Sequence, residues 1–357
     1  MIDNCELRPM DLPPLPENPL VSVLIANYNN ARFLPEALDS VLAQTYTNWE
    51  AIICDDGSTD NSRQVIEQYL ALDSRFRCVF KRNGGVATAL NAAYLESKGD
   101  VIAFLDADDF FYRDKCALVV NRFQVNHLAG FAGHQLTPVN ERGKATGPAI
   151  PRLMEEGWLG PKALVGGGRC ELPPGGGLVF RRELAEVLFP IPDAFHRRAA
   201  DGYLLGIAQL ASVFVAVTAP LAAYRIHTAN VTAACKPTVG TVQKTLEDYE
   251  KISVTQREFL CRMYGEATAR TLDVVSCPTY KQNLLAYRLL AGTLPASAQT
   301  FSVAEIISGL PNKSLKFIWR TLLWLPPSVG RMALCLWHGQ YRGKQLLHPL
   351  ALAAGLK

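Results

Sequence analysis

Three polar clusters in the first third of the chain bring together residue types that could do chemistry: Asn27-Tyr28-Asn29, Asp55-Asp56-Gly57-Ser58 and Asp106-Ala107-Asp108-Asp109. Each follows a short apolar run and so stands where a strand would end. Taken singly, Asp-Asp-Gly-Ser-Thr-Asp also reads as a turn leading into a helix cap. Taken together, the acids ask for more, because carboxylates gathered at one sheet edge repel one another unless a cation sits among them. Hard oxygen ligands on a tight turn suit Mg²⁺ or Mn²⁺, which keep some waters and accept substrate phosphate oxygens as further ligands. Such an ion neutralises charge on a departing diphosphate as a Lewis acid. There is no G-x-x-x-x-G-K-[ST] loop, and no G-x-G-x-x-G after the first apolar run, which argues against P-loop and dinucleotide chemistry.

The elements that must position these clusters alternate strand and helix, as in a doubly wound parallel sheet. Val21 to Ala26 predicts a first strand, and Pro35 with Leu34, Leu38, Val41 and Leu42 predicts a helix with one apolar stripe. Ala51 to Cys54 predicts a second strand. Asp60 would cap a helix that turns Val65, Ile66, Tyr69 and Leu70 inward. Arg77 to Phe80 reads as a third strand, Val86 to Leu95 as a short helix, and Val101 to Leu105 as a central strand covered on both faces. Ligands in such sheets bind outside the carboxyl ends of the strands. From Gly130 to Gly177 glycine and proline rise, which predicts loops, lids and short strands. Val213 to Val217 predicts another strand, and beyond Gly240 the pattern turns helical.

Of 357 residues, 49% are hydrophobic and 19% charged, which is ordinary globular composition. A net charge of +3 is too small for a nucleic-acid binder, so no nucleic-acid partner is expected. The nine cysteines form no C-x-x-C pair and read as reduced thiols. Residues 1–19 are polar and proline-rich, without the basic and apolar regions of a secretory signal, so a cytoplasmic location is the expectation. Phe317 to Trp337 is rich in Trp and Leu but broken by Arg320, Pro326-Pro327 and Arg331, too short of apolar run for a span. Two readings stay open for it: Trp319, Trp324 and Trp337 lie along the inner membrane surface as a peripheral contact, or the segment is a helical pair packed on the core.

The runs Val21-Ser22-Val23-Leu24-Ile25-Ala26-Asn27-Tyr28-Asn29, Cys54-Asp55-Asp56-Gly57-Ser58-Thr59-Asp60 and Phe104-Leu105-Asp106-Ala107-Asp108-Asp109 together resemble the family 2 glycosyltransferases of the GT-A fold. The resemblance spans roughly residues 20 to 230. It implies an α/β catalytic domain with a Rossmann-like, mostly parallel sheet over residues 20–233, after an extension at 1–19 and before a helical region at 234–357. It also implies an inverting transfer of a hexose from a UDP-sugar to a saccharide or lipid-linked saccharide in cell-surface polysaccharide synthesis. Carried over residue by residue, Ala26, Asn27, Tyr28 and Asp56 would hold the nucleotide base, Asn83 would lie on the donor side, and Asp106 would sit near ribose and diphosphate. Asp108, or the adjacent Asp109, would bind Mn²⁺ or Mg²⁺, with Asp108 favoured. Asp201 would be the base that takes the acceptor proton, unless it only caps a helix.

Two positions depart from the family pattern: Ala200 stands where an acid is common, and Leu90 where arginine is. The late motif Ala223-Tyr224-Arg225-Ile226-His227 with Asn230 fits the family. There Arg225 would neutralise phosphate or brace the sheet, and His227 would approach the metal or diphosphate. Gly175-Gly176-Gly177 resembles a flexible approach to the acceptor side. A nucleotidyltransferase is the nearest competing enzyme, but Ala26-Asn27-Tyr28-Asn29-Asn30 replaces its basic glycine-rich loop. An inactive nucleotide-sugar-binding scaffold is the non-enzymatic alternative, on the strength of Ala200 and Leu90.

Overall fold

The computed structural model describes residues 7–170, 172–195, 197–227 and 237–338, with side chains described as far as 335. Cys5, Asn230, Cys235 and the Trp337 side chain lie outside these limits. The first compact unit runs to Ala163 and resumes over Cys170–Arg225; the second takes Leu164–Arg169 and continues from Ile226.

The first unit opens with β1 (Val21–Asn27), α1 (Leu34–Leu42), β2 (Trp49–Asp55), α2 (Ser62–Leu72), β3 (Phe76–Phe80), α3 (Val86–Glu96) and β4 (Val101–Asp106). It continues through β5 (Phe110–Phe111), α4 (Lys115–Val125), β6 (Ala129–Val139), β7 (Gly157–Trp158), α5 (Gly160–Val165, whose end crosses into the second unit), β8 (Leu178–Arg181), α6 (Arg182–Leu188), α7 (Ala200–Ala211) and β9 (Val213–Arg225). The sheet runs β3-β2-β1-β4-β8-β6-β9-β5, with β7 on β9. Its first four strands are all parallel. Strand β8 then runs antiparallel between β4 and β6, so the far half is mixed. Strand pleating sends Val21, Val23 and Ile25 to one face. They join Leu38 and Val41 of α1, Ile66 of α2 and Phe123 of α4 in one core.

Two expectations need correction. The stretch after Gly130 does not open as a loop: β6 runs eleven residues inside the sheet, and the expected loops and short elements follow only beyond Val139. Its glycines are there for close packing, since a Cβ at Gly130 would lie 2.2 Å from Ser212 Oγ and one at Gly133 2.8 Å from the Phe214 ring. Asp60 is not the N-cap of α2, which is Asn61. Asp60 nevertheless accepts the Ser62 N–H (3.0 Å) through one oxygen and the Ala31 N–H (2.9 Å) through the other, tying the loop after β1 to the start of α2.

The second unit contains α8 (Val239–Tyr264), α9 (Glu266–Thr271), α10 (Pro278–Ala291), α11 (Val303–Ser308), α12 (Lys313–Trp324) and α13 (Pro327–His338). Thr238 and Thr241 form a reciprocal capping box at the start of α8. Leu246, Tyr280, Leu284, Leu285, Trp319, Leu322 and Leu334 make a core of this unit's own. Trp319 is fully buried there, so it cannot belong to a membrane-facing row. No described helix is long and apolar enough to cross a membrane.

Candidate active site

Parallel register sets the site. Asn27 pairs with Asp55 on one side of β1, and Ala26 with Asp106 on the other, so all three polar clusters reach one carboxyl edge. The chain adds β2 and β3 on one side of β1 and β4 on the other, which makes this edge a topological switch point.

The loops after β1 and β2 are latched. Asn27, buried, donates from Nδ2 to Asp55 Oδ1 (2.7 Å) and Ser58 Oγ (3.2 Å), while its own Oδ1 is a buried acceptor without a protein partner. Asn29 takes the left-handed conformation (φ 54°), which asparagine tolerates better than most residues. That lets its Oδ1 accept the Thr59 N–H (2.7 Å) while its own N–H donates to Ser58 Oγ (2.9 Å). Tyr28, held between these anchors, leaves 48% of its surface exposed. Ala26 is part-buried at the strand end.

Asp56 does more than sequence reasoning assigned it. Its buried carboxylate accepts from Lys81 Nζ (2.5 Å), from Gly84 N (2.9 and 3.1 Å) and from Gly85 N (2.7 Å), while Asn83 Nδ2 donates to the Asp56 carbonyl (3.1 Å). A carboxylate offers about four lone-pair sites, and these donors nearly fill them. The partner loop must come close to make them: a Cβ at Gly57 (φ +77°) would sit 2.8 Å from Asn83 N. Lys81 was not singled out from the sequence, although a lysine two residues before Asn83-Gly84-Gly85 was a usable signal. Leu90 is buried on α3.

The acids after β4 form one electrostatic group. Asp106 is open to solvent at the strand end yet ringed by protein, and its carboxyl is pushed up to about 7 by that crowding, then by Asp108 and Asp201, with Lys115 opposing. Asp109, 3% exposed, is raised well above the usual carboxylate range by burial and then by Asp106 and Asp108. Its Oδ1 accepts the Arg225 N–H (2.7 Å). Arg225, itself buried, donates from Nε to the Asp108 carbonyl (2.6 Å), from Nη1 to the Glu141 carbonyl (2.7 Å) and from Nη2 to Glu36 (2.5 Å). Of the two roles left open for it, these contacts give Arg225 the bracing one: its planar fork holds the acidic turn.

Asp201 lies in the first turn of α7, exposed, with Oδ1 accepting the Gly202 N–H (2.8 Å). The Gly175–Gly177 turn runs between the acids: a Cβ on Gly175 would stand 3.4 Å from the Asp201 Cβ, and one on Gly176 3.6 Å from Asp109 Oδ2. This turn is pinned, where the sequence suggested flexibility. Lys115, fully buried, donates to the Gly176 carbonyl (3.0 Å), and Gly177 N donates to the Pro174 carbonyl (2.8 Å). Burial pushes the Lys115 ammonium down to about 7, against the pull of Cys116, Asp109 and Asp106. Burial, and after it Lys115, keeps nearby His134 well below the usual imidazole range. Lys115 carried no sequence signal, because a lysine opening a helix normally reads as solvated. His227, two residues past β9, falls in the second unit.

Residues 22–189, which hold the three polar clusters and the Gly175–Gly177 turn but not Asp201 or Arg225, match the family model described as Glycosyl transferase family 2. A Nostoc protein described as an uncharacterized glycosyltransferase is 39% identical over 214 residues, 59% of this chain and 66% of that protein. Both findings are a likeness to glycosyl transferase family 2. A chondroitin synthase of Pasteurella multocida is 43% identical over 105 residues, 29% of this chain and 11% of that enzyme. The chain thus spans just under two thirds of the first relative's length and about a tenth of the second's. Two solved structures share the GT-A fold. Staphylococcus aureus TarS 1–349 with UDP-GlcNAc has a TM-score of 0.54 at 14% identity, covering 88% of each chain. The Pyrobaculum calidifontis mannosyltransferase with GDP-Man and Mn²⁺ has a TM-score of 0.50 at 20% identity, covering 93% of this chain and 90% of that one.

Proposed function

We propose that this protein is a family 2 glycosyltransferase, metal-dependent and inverting. It moves a hexose from a nucleotide sugar, UDP-linked in the first instance, to a hydroxyl of a saccharide or lipid-linked saccharide in cell-surface polysaccharide synthesis. The observation that carries this reading is the gathering of acids at the switch-point edge, where the Gly175–Gly176 turn lies beside both Asp201 and Asp109, and Asp108 and Asp201 each push the Asp106 carboxyl up. Three carboxylates drawn from a strand end, a turn and a helix start have no structural reason to share one field. They have a chemical one if a divalent cation and a base are both needed there. The polysaccharide-synthase relative supports a saccharide acceptor. The seven described cysteines, all free, suit a reducing, cytoplasmic setting.

The donor set suits Mg²⁺ or Mn²⁺, being hard carboxylate oxygens whose repulsion a cation would relieve. Among the described residues no three His, Cys, Asp or Glu are grouped as a ready metal cage, so phosphate oxygens and water would complete the shell. Asp108 is the better ligand, since Asp109 is buried and already bonded to the Arg225 N–H. When bound, the ion would supply neutralising charge to the leaving diphosphate. Tyr28 would receive the base through its exposed ring, with the buried Asn27 holding the turn beneath it. Asp56 would serve the donor chiefly by holding the Lys81–Gly85 loop, and Asp106 would face ribose and diphosphate. The acceptor oxygen attacks the anomeric carbon, the bond to the diphosphate breaks, and the hydroxyl proton passes to Asp201, with inversion.

The test is release of nucleoside diphosphate from UDP-glucose, UDP-galactose, UDP-GlcNAc and GDP-mannose, with and without Mn²⁺ and oligosaccharide acceptors. GDP-mannose belongs in the screen because fold neighbours bind both nucleotides. Mn²⁺-dependent release from one donor is expected. Tight donor binding with no release from any would instead make the protein an inactive sugar-nucleotide scaffold.

A further inference from the structure

Helix α12 places large aromatic side chains on two opposite sides. Trp319 and Leu322 enter the core of the second unit, whereas Phe317 and Trp324 are 64% and 83% exposed. The exposed pair shares its stripe with Lys313 and Arg320, because positions 313, 317, 320 and 324 recur at helical spacing along one line. Helix α13 lies against the α12 backbone through Gly330, where a Cβ would stand 2.7 Å from the Leu322 carbonyl. It adds exposed Val329, Arg331 and Met332, the last 60% exposed.

Charge on this part of the chain has one sign. From Ile306 to Lys357 there are seven Lys and Arg and no Asp or Glu, whereas the other 305 residues carry 29 Lys and Arg against 33 Asp and Glu. A stripe that merely faced water would carry charges of both signs and no tryptophan at its most exposed point. A protein partner would favour an apolar centre depleted of charge. Cations alternating with exposed aromatic rings suit a different surface. Anionic headgroups attract the cations over about a Debye length, and the rings settle at headgroup level. At 1.5 Å per residue the twelve-residue helix is about 18 Å long, enough to lie in that interface and too short to cross it.

We propose that the outer stripe of α12, with the exposed start of α13, docks the protein on a membrane surface rich in anionic phospholipid, without spanning it. This surface is independent of the sugar-transfer reading.

Full-length protein is floated with vesicles of phosphatidylcholine alone and of phosphatidylcholine with phosphatidylglycerol, at low and high salt. Binding to the anionic vesicles is expected, falling about tenfold or more at high salt or without the anionic lipid. Trp324→Ser with Phe317→Ser, and separately Lys313→Glu with Arg320→Glu, should each weaken it about tenfold. All four side chains are exposed, so circular dichroism should stay unchanged. Quenching of tryptophan fluorescence by brominated lipid should disappear with Trp324→Ser. Equal binding to both vesicle types, or unaltered binding by both double variants, would overturn the proposal. So would self-association that needs Trp324 while no vesicle binds, since the stripe would then be a contact between copies of the chain.

Discussion

Replacing Asp56 by asparagine changes one atom at the centre of the donor-side loop, and its cost follows from the geometry. The amide nitrogen must take the place of one carboxylate oxygen. At Oδ2 it would face Gly85 N and Gly84 N, formerly 2.7 and 3.1 Å away, donor against donor; at Oδ1 it would face Gly84 N and Lys81 Nζ, formerly 2.9 and 2.5 Å away. Either choice removes at least one charge-assisted bond, worth about 1.5–3 kcal/mol. It also leaves the Lys81 ammonium without its countercharge, so a total near ~3 kcal/mol is expected. At ~1.4 kcal/mol per decade, that makes opening of the Lys81–Gly85 loop about 100-fold more frequent. Hydrogen–deuterium exchange of a peptide covering residues 81–90 should therefore speed up by about that factor at Gly84 and Gly85. Lys81→Met should cost less, about 1 kcal/mol, because this partly exposed ammonium is only one of the donors to Asp56. Unchanged exchange together with abolished nucleotide binding would refute the reasoning and return Asp56 to direct contact with the base.

Three further outcomes follow from the acidic group. Arg225→Met should lower the unfolding free energy of the first unit by about 3–5 kcal/mol in urea, with Arg225→Lys rescuing little because a point charge cannot span the Asp108, Glu141 and Glu36 acceptors; a loss below about 1 kcal/mol would deny its bracing role. Lys115→Met fills the same space but leaves the Gly176 carbonyl without its donor, so a loss of about 1–3 kcal/mol is expected, and a variant more stable than the wild type would contradict the pinning of that turn. Asp106 holds its proton more tightly folded than unfolded, so the metal-free protein should lose stability as pH rises from about 4 to about 7; Asp106→Asn should flatten that slope in thermal melts, and an identical slope would remove the inferred repulsion.

The parallel half of the sheet was legible because its strands are buried on both faces and end in polar turns: Val101 to Leu105 followed by Asp106 could hardly be read otherwise. The mixed half was not, because the sequence marks of a loop and of a tightly packed strand are the same residues. Gly130 and Gly133 of β6 make room for Ser212 and Phe214, and Pro220 sits inside β9 at a register shift. At the site, the acids and Asn27 stood out by type and spacing. What holds them did not, since Lys81, Lys115 and Glu36 act across 25, 61 and 189 residues of chain, a distance no local pattern reports. Asp201 is singled out only by the family resemblance, since an acid in the first turn of a helix ordinarily serves its helix dipole.

The most direct measurement compares Asp201→Asn with the wild type for both nucleoside-diphosphate affinity in Mn²⁺ and sugar-transfer turnover. Asp201 is exposed beside the Gly175 turn and can lose its charge without disturbing the loops after β1 and β2. Affinity should hold within about twofold while turnover falls by about 10²–10⁴, because only proton removal is lost. Parallel loss of affinity and turnover, or turnover left intact, would contradict the assembly of carboxylates as a working transfer site.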